Sequence, residues 1–218
     1  MVGRKANAAV GGPLASDEVP SPGVRNFSEP HGASLFLQKI PKPGTGISNL
    51  EPDTLLASAF CYPSTRAKLR LISEAEPKIR FAEFGNADTE TCLPFVRFDE
   101  YASVLANFGA NVVRGENSAI KAMIAGKPFL WDFYKESNGA HEEKIGDFLD
   151  FVRPHFDNGE NFVSYADALR AFNSDDLSPE GARKCADVLT GDLDPFERMA
   201  ETVRKRDLAA TVIAELEA

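Results

Sequence analysis

The stretch Asn111-Val-Val-Arg-Gly-Glu-Asn-Ser-Ala-Ile-Lys-Ala-Met-Ile-Ala-Gly-Lys-Pro-Phe-Leu-Trp-Asp-Phe-Tyr134, followed by His141 and Glu142, decides how this chain folds. Residues 111–113 are a short apolar run of the kind that forms a buried strand. Arg114-Gly115 breaks the run. Asn117 or Ser118 then suits the cap of a helix whose apolar residues Ile120, Met123 and Ile124 fall three and four apart. Gly126 suits the position just past a helix end, and Pro128 bars continuation. A second apolar run, residues 128–134, gives the next strand. The unit is strand–turn–helix–strand, and its turn carries an arginine, a glycine, a carboxylate, an amide and a hydroxyl. Ligands of open α/β sheets bind at such carboxyl ends of strands. The helix start there offers free N–H groups and the positive end of a dipole to an anion.

The same alternation continues outward. Strand patterns fall over residues 54–60, 78–84 and 91–96, and helix patterns over 64–73, 99–108, 140–154, 161–172 and 178–189. A last helix pattern opens at Asp194 and runs to about residue 216. Short strands alternating with helices imply an α/β, Rossmann-like fold, a mostly parallel sheet with helices on both faces. Residues 1–52 differ, with seven Gly and seven Pro, the composition of a disordered leader or linker. One short apolar stretch, residues 34–40, interrupts it. The expected division is a leader over 1–52, an α/β ligand-binding domain over 53–175 and a helical tail over 176–218.

A chain of 218 residues has room for one well-buried domain plus extra segments. Hydrophobic content of 43% with 16 Phe supplies the core. A net charge of −9 argues against nucleic acid as a partner, since that needs a basic face. No apolar run reaches membrane length and no secretory signal opens the chain, so no membrane partner is expected. Cys61, Cys92 and Cys185 are odd in number and lack a CxxC pair, which fits a reducing, cytoplasmic compartment and free core thiols. No His/Cys cluster occurs at ligand spacing, so no metal and no cofactor are expected. No G-x-G-x-x-G turn is present either, which disfavours a dinucleotide enzyme of the epimerase type.

Arg114-Gly115-Glu116-Asn117-Ser118, then Ala125-Gly126-Lys127-Pro128-Phe129, then Trp131, Tyr134 and His141, resemble the protein-arginine rhamnosyltransferases that modify elongation factor P in bacteria. The pattern of that family runs Arg-Gly-Glu-Asp-Ser, Ala-Gly-(Lys/Arg)-Pro-Phe, Trp, Tyr-Pro-Gln and a downstream His. Phe60-Cys61-Tyr62 is similar to its Phe-x-Tyr, and Leu93-Pro94-Phe95-Val96 with Asp99-Glu100-Tyr101 to its Pro-Phe-x-x-Gln-x-x-(Phe/Tyr). The resemblance covers residues 54–172. It implies the C-terminal, donor-binding half of a two-lobed GT-B glycosyltransferase. It also implies dTDP-L-rhamnose as the nucleotide-sugar donor, inverting transfer, and elongation factor P as the protein acceptor.

The departures are specific. Asn117 stands where the family has aspartate, Phe98 where it has glutamine, and Lys135-Glu136 where it has Pro-Gln. The glycine-rich segment and the aspartate base of the family's N-terminal half have no counterpart in this sequence. The expectation is therefore a domain incomplete for transfer by itself, the alternative being a non-catalytic remnant or interaction module.

A nucleotide-sugar donor needs cationic or N–H groups for its diphosphate, a ring platform for its base and polar partners for its sugar. Arg114 and the amides of Asn117 and Ser118 suit the first, with a hydroxyl from Ser118. Phe60, Tyr62, Phe95 and Tyr101 suit the second. Glu116 is the candidate catalytic carboxylate, because an arginine guanidinium, with a pKa above about 12, needs carboxylates to hold and polarise it. Plain structural readings stand beside these. Asn117 and Ser118 can be helix caps, Arg114 can pair with Glu116, and Glu116 can complement the helix dipole. Phe95 and Tyr101 can be core, Trp131 and Tyr134 can pack beneath the site, and His141 can be a solvated helix-start residue.

Overall fold

The computed structural model describes residues 53–85, 92–136 and 139–205. The leader expected over 1–52 and the far end of the last helix pattern lie outside the described residues. Five strands form one sheet: β1 (Leu55–Ala59), β2 (Ile79–Phe84), β3 (Cys92–Leu93), β4 (Ala110–Arg114) and β5 (Phe129–Asp132). All neighbours are parallel, in the order β3-β2-β1-β4-β5. The helices are α1 (Arg66–Ala75), entered through a 3-10 turn at Pro63–Thr65, α2 (Tyr101–Leu105), α3 (Glu116–Ala125), α4 (Ala140–Val152), α5 (Gly159–Asn173), α6 (Pro179–Leu189) and α7 (Asp194–Lys205). Consecutive strand residues face opposite ways, and Val112 and Val113 are both 0% exposed. Helices therefore cover both faces of the sheet, as the apolar runs required.

Several elements are shorter than their patterns: β5 ends at Asp132 rather than at residue 134, and two others lose half or more. Of the strand expected over 91–96, the described residues 92–96 keep only Cys92–Leu93, because Pro94 has no N–H to continue a ladder. The helix expected over 99–108 keeps only Tyr101–Leu105. There the backbone tightens, with Asn107 N–H donating to Val104 O and Phe108 N–H to Leu105 O, and the Asn107 side-chain amide takes the Ser103 carbonyl at 2.8 Å.

The core continues into the C-terminal helices. Phe129 of β5 meets Phe148 of α4 and Phe196 of α7 at ring separations of 6.0 Å each. Tyr165 of α5 stacks on Phe156 at 5.3 Å and donates its buried hydroxyl to the Phe129 carbonyl at 3.3 Å. Helix α6 packs against both α5 and α1, and α7 against α3. Gly126 caps α3 in the left-handed region (φ 69°), the conformation the sequence called for. Its missing side chain also lets α7 close in, since a Cβ there would lie 3.3 Å from that of Ala200.

Lys68 ties the two ends of the fold. It is buried on α1 and donates its ammonium to the carbonyls of Phe172 (2.7 Å) and Ser174 (2.5 Å) at the end of α5. These are carbonyls that a helix terminus leaves without internal partners. Lys68→Met keeps the stem but orphans both acceptors. It should cost about 1–3 kcal/mol of unfolding free energy, read as a lowered urea midpoint with an unchanged m-value.

Candidate functional site

The order of strands reverses between β1 and β4: the chain steps from β1 outward to β2 and β3 on one side, then crosses to β4 and β5 on the other. Such a reversal leaves a crevice at the carboxyl ends of the two central strands. Phe60 extends β1 there, its N–H donating to the Val112 carbonyl of β4 at 2.7 Å. Arg114 ends β4. Gly115 then turns the chain with φ 70° and ψ 154°, a region that suits glycine, and forms the N-cap of α3 without any side-chain hydrogen bond. The expected caps are thus corrected. Asn117 and Ser118 lie inside the first turn, because glycine starts the helix earlier than a polar cap would. The first turn keeps its N–H groups unbonded to any described residue.

The Arg114 guanidinium lies 4.4 Å from the Phe60 ring centre and 4.8 Å from that of Tyr62. It forms no hydrogen bond or ion pair with any described residue, so the pairing of Arg114 with Glu116 does not occur. Stacking of this kind holds a cation with about 0.5–2 kcal/mol while leaving its N–H donors open. Phe60 is the hub of the remaining rings, edge-on to both Phe95 and Tyr101 at 6.4 Å. Phe95 is 75% exposed, which overturns the core reading for it. Its ring rests on Gly85, where any Cβ would fall 2.3 Å from the ring. Tyr101 is half-buried, and its buried hydroxyl has no hydrogen bond of good geometry. Burial pushes that phenol well above its ordinary pKa, and the neighbouring Ser118 side chain and the Arg114 charge pull it partly back.

Phe60, Tyr62, Phe95, Tyr101, Arg114 and Ser118 therefore meet in one place. Glu116 and Asn117 stand exposed at its edge. The Glu116 carboxylate lies 3.9 Å from the Lys144 ammonium, which bonds Glu136 at 2.7 Å. His141 is not solvated: its side chain is mostly buried, Nε2 lies 3.6 Å from Glu142, and Nδ1 is buried without a partner. Tyr134, expected beneath the site, is 64% exposed and meets Tyr62 edge-on at 5.9 Å. Trp131 stacks on Phe133 at 4.0 Å and meets Phe148 edge-on at 5.2 Å. Burial, aided by the Asp132 and Glu83 charges, pushes the Cys61 thiol up to about 12, so it is no nucleophile near neutral pH. Among the described residues no group of three or more His, Cys, Asp or Glu is placed to hold a metal ion, and no helix is long and apolar enough to cross a membrane.

The family model for the elongation factor P rhamnosyltransferase EarP matches residues 79–216, well over half of the chain. The chain belongs to this family. A protein-arginine rhamnosyltransferase of Pseudomonas aeruginosa is 40% identical over 144 residues, which are 62% of this chain and 37% of that protein. One from Pseudomonas putida is 42% identical over 65 residues, 30% of this chain and 17% of the relative. The match thus spans little more than a third of the length of the P. aeruginosa protein. A solved structure from work on EarP-mediated arginine glycosylation of translation elongation factor EF-P superposes with a TM-score of 0.66 at 21% identity, over 88% of this chain and 67% of the other. That likeness bears on the fold and agrees with the parallel α/β, GT-B-type architecture.

In this EarP-family chain, motif reading missed Asp132. It ends β5 beside Arg114 in register, is 6% exposed, and its Oδ2 accepts from the Tyr62 N–H (2.9 Å) and the Thr65 hydroxyl (2.7 Å). The available signal was a lone acid closing an otherwise apolar strand. Asp132 also borders a cleft of about 470 Å³, along with Tyr62, Thr65, Lys68, Tyr134, Lys135 and Asp175. Burial pushes its carboxyl above the ordinary range, offset in part by its two donors and by the Lys68 and Arg114 charges. A raised folded-state value means that the native protein holds this proton more tightly than the unfolded chain. The stability Asp132 contributes is therefore greatest in acid and falls as pH rises from about 4 through the raised value. Asp132→Asn cannot titrate. Urea unfolding across that range should shift progressively in favour of the Asn variant as pH rises, then level off.

Proposed function

We propose that this chain forms the donor-binding side of a protein-arginine rhamnosyltransferase acting on elongation factor P. The observation that carries the reading is Arg114, a cation held on two aromatic faces with its N–H donors uncommitted, beside the uncapped start of α3. In this reading Arg114 and the first-turn amides of Asn117 and Ser118 take the diphosphate of dTDP-L-rhamnose. The rings around Phe60, with exposed Phe95, take the thymine. Ser118 adds a hydroxyl, and Glu116 faces the acceptor. The family description and the names of the relatives support the acceptor and the sugar. The chemistry is displacement: an arginine nitrogen attacks the anomeric carbon, the bond to the β-phosphate oxygen breaks, dTDP leaves and the nitrogen gives up a proton.

That proton is the difficulty. A guanidinium with a pKa above about 12 is a poor nucleophile until a base takes its proton. Glu116 is partly neutralised by Lys144, and Asn117 has no charge to offer. We therefore propose that transfer needs a further carboxylate from outside this chain. The position of Glu116 also favours a second reading, a module that binds the donor without transferring it.

Two measurements test these readings. Calorimetry with dTDP should detect binding, and Arg114→Ala should weaken it by about 1.5–3 kcal/mol, the worth of a hydrogen bond to a charged group. Equal affinity for both proteins removes the assignment. The 218-residue chain mixed with dTDP-L-rhamnose and elongation factor P should give no appreciable rhamnose mass increment. Robust transfer lost on Glu116→Gln would show that Glu116 is required and that no carboxylate from another chain is needed.

A further inference from the structure

We infer that Asp132 is a positioning residue for the Arg114 site: from the end of β5 it fixes the β1–α1 turn whose Tyr62 ring covers the guanidinium. This rests on the donor-binding reading of Arg114. The strands supply the logic. β4 lies between β1 and β5, and Arg114 and Asp132 are register partners at the carboxyl ends of β4 and β5. Asp132 reaches past Arg114 to the loop that leaves β1, where Oδ2 takes both the Tyr62 N–H and the Thr65 hydroxyl. No hydrogen bond joins Asp132 to Arg114 itself. The carboxylate acts on the backbone of its neighbour's platform.

The end of β5 grips Tyr62 a second time. Tyr134, two residues beyond Asp132, meets the Tyr62 ring at 5.9 Å with an interplanar angle of 61°. Tyr62 is thus held by its amide from Asp132, by its ring from Tyr134, and against the guanidinium of Arg114 at 4.8 Å. Among the described residues no other side chain hydrogen-bonds Tyr62 or Thr65, and the Arg66–Glu83 ion pair (3.1 Å) holds the start of α1 rather than Tyr62. The 3-10 turn at Pro63–Thr65 has no side-chain cap, and its internal bonds run from Thr65 N–H to Tyr62 O and from Arg66 N–H to Pro63 O. Released from Asp132, Tyr62 keeps its sequence position but loses the backbone constraint that sets its ring over Arg114.

The variants separate position from charge. Asp132→Ala removes both bonds. Asp132→Asn keeps an acceptor oxygen for Tyr62 and Thr65 and removes only the charge. Thr65→Val removes one bond and leaves the Tyr62 amide held. In the full chain, amide hydrogen exchange at Tyr62 and dTDP calorimetry are measured side by side. Asp132→Ala should speed Tyr62 exchange and weaken dTDP binding about five- to ten-fold, the scale of one lost cation–ring contact. Asp132→Asn should restore both to near the wild-type values, and Thr65→Val should fall between.

Fast Tyr62 exchange in Asp132→Ala with unchanged dTDP affinity overturns the inference. So does an Asn variant as weak as the Ala variant, since the charge would then be what matters. Should Asp132→Ala fail to fold, the Asn and Val variants decide alone: wild-type affinity with Asn and a several-fold loss with Val upholds the turn's role, and any other pairing rejects it. Wild type that binds no dTDP rejects the donor reading itself. Wild type that binds while no turn variant matters rejects only the role of Asp132.

Discussion

From β1 the chain goes one way to β2 and β3, and the later crossing to β4 and β5 goes the other way. The carboxyl ends of β1 and β4 are therefore left side by side at the switch point. Everything at the site answers to that gap. Phe60 and Tyr62 leave β1 into it, Arg114 closes β4 into it, and Gly115 turns α3 so that its first N–H groups face the same place. Tyr101 and Phe95, which come from the segment after β3, close it from the side of Phe60. The site is an outcome of strand order, and its side chains are far apart in sequence for that reason.

How much of this could be read in advance varied with the kind of interaction. The strands β4 and β5 and the helix between them were legible because both strands are buried on two faces and so read as unbroken apolar runs. Gly126 and Pro128 marked the end of α3 because no other residues do that work as well. The cap of α3 was misjudged because polar residues compete for the N-cap in sequence statistics, while here the backbone of Gly115 decides, at a conformation a side chain would strain. The gathering of Phe60, Tyr62, Phe95, Tyr101 and Arg114 was available only through a family pattern. Periodicity alone would have placed Phe95 and Tyr101 in the core, and Phe95 is exposed. Asp132 was invisible to that reasoning, because its partners lie 67 to 70 residues earlier in the chain.

The interior near the site is more polar than a core needs to be. Tyr101, Trp131 and His141 each carry a buried polar atom without a hydrogen bond, and so does Asn111, whose side-chain oxygen accepts from Ser58 at 2.7 Å. Unmet buried groups cost about 1–3 kcal/mol each. They stand on β4 and β5 and at the starts of α2 and α4, the elements that surround the switch point. The rest of the core, from Phe129 through Tyr165 to Phe196, is closely packed and aromatic. Stability is thus supplied by packing away from these unbonded groups.

The way Arg114 is held bears on how an anion would reach it. Rings, not carboxylates, keep the guanidinium in place, so no ion pair takes up its N–H donors. The molecule as a whole carries −9 and repels anions from a distance. Added salt weakens the near attraction and also lifts the far repulsion, with a screening length of about 10 Å at 0.1 M. The two responses oppose one another, so anion capture at this site changes far less with ionic strength than a single exposed arginine would suggest.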